Sequence, residues 1–467
     1  MTLPDPLQSQ HRYIPNATED VREMLATIGV DSVDRLFETI PDDVKLKELL
    51  KIDGPWSEIE SRRWFRALAA RNKTAVDHLS FLGGGAYAHY QPACIDQLLL
   101  RAEFLTAYTP YQPEVSQGTL QSIFEFQTHM CLLTGLEVAN ASLYEGASAM
   151  VEALLMADRL VKGRKRAVLS AGIHPEYRET ARTYFANLGL EIVEVPLGKD
   201  GVTDAAALAA AVDADTFAVA VQSPNFFGLV EDWRISSEAA RKGGALSIAV
   251  VAEAVSLALL SPPGAGGADI ACGEAQSLGV PMHNGGPLLG FLSCRIDHQR
   301  QIPGRLVGQT RDAEGRRAFC LTLSTREQHI RREKATSNIC TNQGLMALAS
   351  SIHMSLLGKE GLREVALQSH AKAEYLKREI ARLRGYRIPY AGPTFNEFVV
   401  EVEGPHSAAE LLNRLARRKI LGGIPLSRYD KADARRFLVA ATELNTRAEM
   451  DVFVAALAAD AAGESGA

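Results

Sequence analysis

None of the six cysteines (Cys94, Cys131, Cys272, Cys294, Cys320, Cys340) of this 467-residue sequence forms a Cys-x-x-Cys pair with another. Their scatter excludes the spacing of a zinc knuckle or a disulfide scaffold and predicts reduced thiols. A basic surplus is also missing, since 50 Lys and Arg stand against 56 Asp and Glu, a formal net charge of -6. Binders of nucleic acid or of anionic membranes need excess cations to displace phosphate counterions. The expected partners are therefore small molecules and other proteins, with no nucleic acid and no membrane. No run reaches the ~18 uninterrupted apolar residues of a spanning helix, and residues 1–15 carry no basic stretch followed by an apolar one. A cytoplasmic protein is the expectation.

What is present is ordinary for a folded protein: 46% hydrophobic and 23% charged residues, with 37 glycines. A single core stops growing near ~250–300 residues, so the length predicts one large α/β domain and a smaller one. Residues 1–85 read as a helical arm, with a capped start at residues 16–19 and Val21, Met24, Leu25 and Ile28 at helical spacing before Gly29. Residues 81–118 hold Gly83, Gly84 and Gly85, six aromatics and prolines 92, 110 and 113, which predicts ordered loop. After a helix over 118–135, strands are expected at 166–170, 191–195, 216–222, 245–252 and 268–272, with helices between them. This alternation predicts a mostly parallel sheet over residues 86–340 that binds ligands at the carboxyl ends of its strands. Residues 341–467 read as a small α+β domain, with helices at 343–357, 362–383, 407–417 and 447–459, strands at 398–402 and 437–440, and a frayed end.

Several positions can carry chemistry. Gly146, Ala147 and Ser148 open a helix, where small residues let amides approach a phosphate and a hydroxyl can assist; an ordinary helix start needs the same residues. Glu253 ends the most hydrophobic strand, where a carboxylate can pair with a protonated ring nitrogen or be simply a solvated or capping residue. His174 follows another strand and can stack on a cofactor ring, or, as an ordinary loop histidine, be solvated or cap a turn. A pyridoxal-phosphate (PLP) enzyme of this topology places its Schiff-base lysine just after the strand at 268–272, where the amine is desolvated beneath the aldehyde carbon. Residues 273–279 contain no lysine; Gln276 and Ser277 occupy that place and neither forms an imine. The charged stretch 325–334 reads as a salt-bridged helix face. The following Thr336 and Ser337 have hydroxyls to direct at an anion across an interface. Most specific is the loop 108–118, where Tyr108, Tyr111, Gln112, Glu114, Ser116 and Gln117 sit with two prolines in eleven residues. Rigid polar loops of this kind are where binding groups tend to be mounted, the alternative being a purely structural loop.

Taken together, these segments resemble the P-protein (glycine decarboxylase) family of the glycine cleavage system, in its two-subunit bacterial form, and there the subunit 1 or α chain. The matching stretches are 12–15, 80–83, 108–118, 138–142, 222–228, Gly273-Glu274 with 276–279, 303–308, 326–340 and 396–398. The resemblance implies a fold-type-I PLP-dependent transferase fold and an α/β heterodimer, commonly doubled to a heterotetramer. It further implies that subunit 2 (β) carries the lysine and the PLP, and that the complex decarboxylates glycine and passes an aminomethyl group to the lipoylated H-protein. In that setting Tyr108, Tyr111, Gln112 and Glu114, supported by Ser116 and Gln117, are the groups lent to the partner's site, and Thr336 and Ser337 reach the cofactor phosphate. Gly146, Ser148, His174 and Glu253 would be the remnant of this chain's own cofactor site. The chain departs from the family pattern at Gly84-Gly85, at Glu253-Ala254 in place of Asp-Pro, and at Met282-His283-Asn284. Two rival readings remain: a free-standing enzyme with a displaced lysine, for which Lys242 and Lys334 are nearest in sequence, and a scaffold subunit that only stabilises its partner.

Overall fold

Stretches of consecutive apolar residues in the middle of the chain form a seven-stranded sheet: β1 (Val138–Ala139), β2 (Arg166–Ser170), β3 (Glu191–Val195), β4 (Thr216–Gln222), β5 (Leu246–Val251), β6 (Ile270–Glu274) and β7 (Gly290–Cys294). The structure is a computed structural model that describes residues 15–48 and 50–463. The strand order is β1-β7-β6-β5-β4-β2-β3, parallel from β6 through β3, with β7 antiparallel to both β6 and β1. Strands β2, β3 and β4 fall on the residues expected from sequence, and β5 and β6 lie within two residues of expectation.

Alternate side chains of these strands enter different cores, as the two-residue strand period requires. Ala167, Leu169, Ile248 and Val250 pack with Met150 and Leu154 of the helix Gly146–Leu160. On the other face, Val168, Val219 and Val221 meet Leu208 and Ala240, while Val251 and Ala271 meet Phe126 and Met130 of the helix Gln117–Thr134. Burial on both faces is why the central strands β2, β4, β5 and β6 read as apolar runs rather than as alternating patterns.

Beyond the sheet lie a hairpin of Leu306–Arg311 with Arg317–Thr322 and a four-stranded sheet made by Tyr386–Arg387, Glu397–Val402, Arg436–Ala440 and Ile424–Pro425. The two helices expected at 343–357 and 362–383 fill the span Gly344–Ala381 and are separated at Gly358, where the backbone leaves the helical region with a φ of 59° that a glycine adopts without strain. The loop expected over 81–118 carries two short helices, Cys94–Leu99 and Ala102–Leu105. The charged stretch 325–334 is not one helix face. Leu323 and Arg332 take positive φ, leaving only the short helix Gln328–Arg331 between 3-10 turns. Arg326 turns inward and donates to the carbonyls of Leu323, Ile302 and Gly304.

The described residues divide into two units, one up to Lys73 and one from Thr74 onward. In the first, the helix Thr18–Ile28 is capped by Asp20, whose carboxylate accepts from the Ala17 N–H at 2.7 Å, and it ends at Gly29 with φ 85°. Residues 74–85, read from sequence with the arm, lie in the second unit. Leu79–Ser80 pairs with Ile420–Leu421, and Phe81 stacks on Phe453 at 4.4 Å. Residues 12–14 of the first matching stretch and the expected frayed end at 464–467 lie outside the described residues.

Candidate functional site

At the carboxyl ends of the strands, Glu253 follows β5 and is buried. One carboxylate oxygen accepts from the Val255 N–H at 3.0 Å, and the other faces His89 Nε2 at 3.2 Å and the Asn396 amide at 3.3 Å. His89 Nδ1 meets Glu443 Oε2 at 2.7 Å. A carboxylate on each ring nitrogen requires both to donate, so His89 is an imidazolium. Burial opposes that charge, but Glu253 and then Glu443 outweigh it and raise the pKa to about 10.

The place of the missing lysine is engaged with the same segment. Gln276 Oε1 accepts from the Tyr87 N–H at 3.0 Å, and its Nε2 donates to the Tyr87 carbonyl at 3.0 Å and to the Val280 carbonyl at 2.6 Å. Ser277 Oγ accepts from the Val255 N–H at 3.3 Å. From the C-terminal sheet, Glu397 accepts from the Gly84 N–H at 2.7 Å and the Tyr87 hydroxyl at 2.9 Å; burial pushes its carboxyl up to about 7 against these donors.

The start of the helix Gly146–Leu160 is likewise taken. Glu274 accepts from the Gly146 N–H at 3.0 Å, and also from Gln276 N–H and Leu289 N–H at 2.9 and 2.7 Å. Glu145 caps the Ser148 N–H at 2.9 Å and binds its hydroxyl. A Cβ on Gly146 would collide with the Tyr177 hydroxyl, so this glycine serves the close approach of that ring. His174 caps the Glu176 N–H through Nδ1 at 3.2 Å, meets the Gly84 carbonyl through Nε2 at 2.8 Å, and stacks on Tyr177 at 5.0 Å. Burial lowers its pKa.

These contacts test whether PLP fits this chain, and it does not. The amides that would hold a phosphate are committed to Glu274 and Glu145, the carboxylate for a ring nitrogen holds His89, and no amine follows β6. Among the described residues no group of three or more His, Cys, Asp or Glu is placed to hold a metal ion. All six cysteines are free thiols.

The loop 108–118 lies elsewhere and faces outward: Tyr108 is 78% and Tyr111 49% exposed. The Tyr108 hydroxyl lies 3.3 Å from Thr341 Oγ1. Arg305 Nη2 donates to the Tyr111 oxygen at 3.0 Å, with the guanidinium 5.3 Å from the ring centre, and Arg305 Nε lies 3.4 Å from Glu327. His329 also meets this cluster, 5.3 Å from the Tyr111 ring. Because the phenol oxygen accepts from Arg305, its own proton is directed away from that guanidinium. Gln112 and Glu114 are exposed, and Ser116 is half-buried at the start of the helix Gln117–Thr134. Gln117 is spent internally, bonding the Pro113 carbonyl at 2.7 Å and both backbone groups of Phe319 at 2.9 Å. It anchors the loop to the hairpin. A cavity of about 210 Å³ beside the loop is lined by Tyr108, Pro110, Ile123, Thr341 and Leu348. Thr336 is half-buried with its N–H on the Arg326 carbonyl at 3.0 Å, and Ser337 Oγ accepts from the Ile339 N–H at 3.0 Å.

Sequence reasoning passed over Arg305, His89, Glu274 and Glu397 as site residues. Arg305, Glu274 and Glu397 lie within the matching stretches 303–308, Gly273-Glu274 and 396–398, whereas His89 bears no such mark.

Solved structures define the class first. Glutamate decarboxylase of Lactobacillus brevis superposes with a TM-score of 0.69 at 14% identity, over 91% of this chain and 96% of that chain, a likeness of fold alone. With the mostly parallel sheet this is the fold-type-I PLP-dependent transferase fold. Residues 11–457 match the family described as Glycine cleavage system P-protein, and the chain belongs to that family. A relative from Sorangium cellulosum named probable glycine dehydrogenase (decarboxylating) subunit 1 is 51% identical over 96% of this chain and 99% of its own length. A crystal structure of glycine decarboxylase (P-protein) of the glycine cleavage system, in inhibitor-bound form, matches with TM-score 0.88 and 44% identity over 96% of this chain and 99% of that chain. Among the described residues no helix is long and apolar enough to cross a membrane.

Proposed function

We propose that this chain is subunit 1 of glycine decarboxylase, the P-protein of the glycine cleavage system, and that it works in the cytoplasm as one half of an active unit. On the second subunit a lysine would hold PLP, and the cofactor would supply the electron sink for loss of CO2 from glycine. The lipoyl disulfide of the H-protein would take the aminomethyl group on one sulfur and release the other as a thiol. The observation that carries this reading is a contrast within one chain: a crevice without an amine, and an exposed tyrosine loop braced from behind by Arg305.

In this reading the chain's residues bind and orient. Tyr111 presents an outward O–H to an anionic oxygen of the partner's site, because Arg305 already donates to the phenol oxygen. Tyr108 and Glu114 are exposed on the same loop, and Gln112 extends it. Gln117 keeps the loop rigid rather than reaching across. Of the two hydroxyls further on, Ser337 is engaged inside the chain, which leaves Thr336 as the better candidate for the cofactor phosphate.

The scaffold reading is not favoured, since relatives over nearly the whole length carry the enzyme's name. The test is reconstitution with subunit 2 and lipoylated H-protein, following exchange of labelled CO2 into glycine. Tyr111→Phe and Glu114→Gln should each lower the rate while the complex still assembles. Unchanged exchange in both would return the chain to a scaffold role.

A further inference from the structure

The crevice of this chain is packed by the chain itself. Residues 83–90 run through it and are held from two directions: Gln276 and Glu253 reach them from the parallel sheet, while Glu397 and Glu443 reach them from the C-terminal part. The side chains of His89 and Glu253 are each only 2% exposed. The three glycines fit that placement. A Cβ on Gly83 would collide with Glu397 Oε1, and Gly84 and Gly85 take φ of 74° and 97° against Ile424 and His174. A segment with side chains at these positions would not seat.

Each group of the segment and its surroundings satisfies a partner that a pyridine phosphate would otherwise need. The protonated Nε2 of His89 meets the strand-end carboxylate Glu253. The Glu274 carboxylate meets the amide of Gly146 at the helix start. The Gly84 carbonyl and the Tyr177 ring occupy the polar edge and one face of His174. Gln276, at the lysine's place, clamps Tyr87 by both backbone groups.

We infer that this crevice is a ligand site filled by the chain itself, with the His89 imidazolium of segment 83–90 in the role of a cofactor ring and the Glu274 carboxylate, at the end of β6, in the role of its phosphate. The inference deepens the function proposed above and rests on it for the statement that the cofactor belongs to subunit 2. Its consequence is specific. The site is silent because it is occupied, and supplying the missing amine does not reopen it. A cavity made by removing His89 would instead select a small aromatic cation of the imidazolium class, because Glu253 and Glu443 remain as its counter-charges.

The experiment uses the complex of both subunits. Gln276→Lys is loaded with PLP, reduced with borohydride, and both chains are weighed by intact-mass spectrometry. The expected result is a pyridoxyl adduct on subunit 2 and none on this chain. An adduct on the amine introduced by Gln276→Lys, or on Lys372, whose amine binds the Glu443 carbonyl, would overturn the inference. An adduct missing from subunit 2 would instead overturn the proposed function and leave this inference standing. A second variant decides if Gln276→Lys does not assemble. His89→Gly should lower the melting midpoint of the complex by about 5–10 °C, and imidazole at tens of millimolar should restore at least half of the loss, saturably. The double variant His89→Gly with Glu253→Gln should show no such recovery. No imidazole effect on His89→Gly, or equal recovery in the double variant, would refute it.

Discussion

The Gln276 side chain pairs with both backbone groups of Tyr87, accepting from its N–H and donating to its carbonyl at 3.0 Å each. The two residues stand 189 positions apart in sequence. An amide can make this two-way clamp, whereas a lysine, with donors only, would satisfy the Tyr87 carbonyl and leave the N–H buried without a partner. The glutamine is thus fitted to its own contact, and its presence does more than mark a lost lysine.

Glu274 offers both oxygens to backbone amides: Gln276 and Leu289 donate to one, Gly146 to the other. Burial pushes this carboxyl up to about 7 against those donors. Glu274→Gln therefore replaces an acceptor by an NH2 facing an N–H. The expected cost is about 1–3 kcal/mol, read as a lower urea midpoint at pH 8, even though the substitution removes a buried charge. A midpoint at or above wild type would show that burial of the charge outweighs the three amides.

His89 gives stability a definite pH dependence. Its folded-state pKa of about 10 lies above the ordinary value of 6.5. Its contribution is therefore complete below about 6.5 and is lost as pH rises through about 10, with a slope of at most about 1.4 kcal/mol per pH unit. Urea midpoints of wild type should fall between pH 7 and about 9.5. His89→Gln should start lower and lack this component. Parallel profiles for the two proteins would assign the slope to other groups.

Arg305 is buried behind the exposed Tyr111 ring and donates to its oxygen. In the proposed function it would be a positioning residue that reaches the partner's site through Tyr111. Tyr111→Phe should lower kcat/KM for glycine by about 10–100-fold, the loss of one charge-assisted hydrogen bond. Arg305→Lys should lower the same parameter by a smaller factor while leaving assembly intact, because a lysine point charge lacks the planar fork that fixes the phenol. Arg305→Lys combined with Tyr111→Phe should be no worse than Tyr111→Phe alone. Additive losses would give Arg305 a role that does not pass through the tyrosine.

Phe81 tests where the N-terminal connection belongs. It is fully buried and stacks on Phe453 at 4.4 Å with an interplanar angle of 21°. Phe81→Ala should cost about 3–5 kcal/mol and increase amide exchange in two strands of the C-terminal sheet, Glu397–Val402 and Arg436–Ala440. Exchange confined to residues below 74 would place it with the arm instead.

The sequence alone determined the parts whose cause is local. The apolar runs at 166–170 and 216–222 are strands because they are apolar enough to be covered on both faces and their side chains are largely β-branched or small, while the edge strand 191–195 is legible from its β-branched Ile192, Val193 and Val195. The absence of an amine at 273–279 and the unusual loop 108–118 were equally legible, because each depends on residue type within a short window. Tertiary structure decided what the crevice contains. His89 meets Glu253 across 164 positions, and Tyr87 meets Glu397 across 310. Neither pairing has a period or a spacing to betray it, since both arise only when the sheet topology brings distant loops to one strand end. The same holds for Arg305 behind Tyr111, 194 positions apart. Whether a glutamate at a strand end receives a cofactor or a histidine of its own chain depends on which segment reaches it, and that is a property of the folded chain.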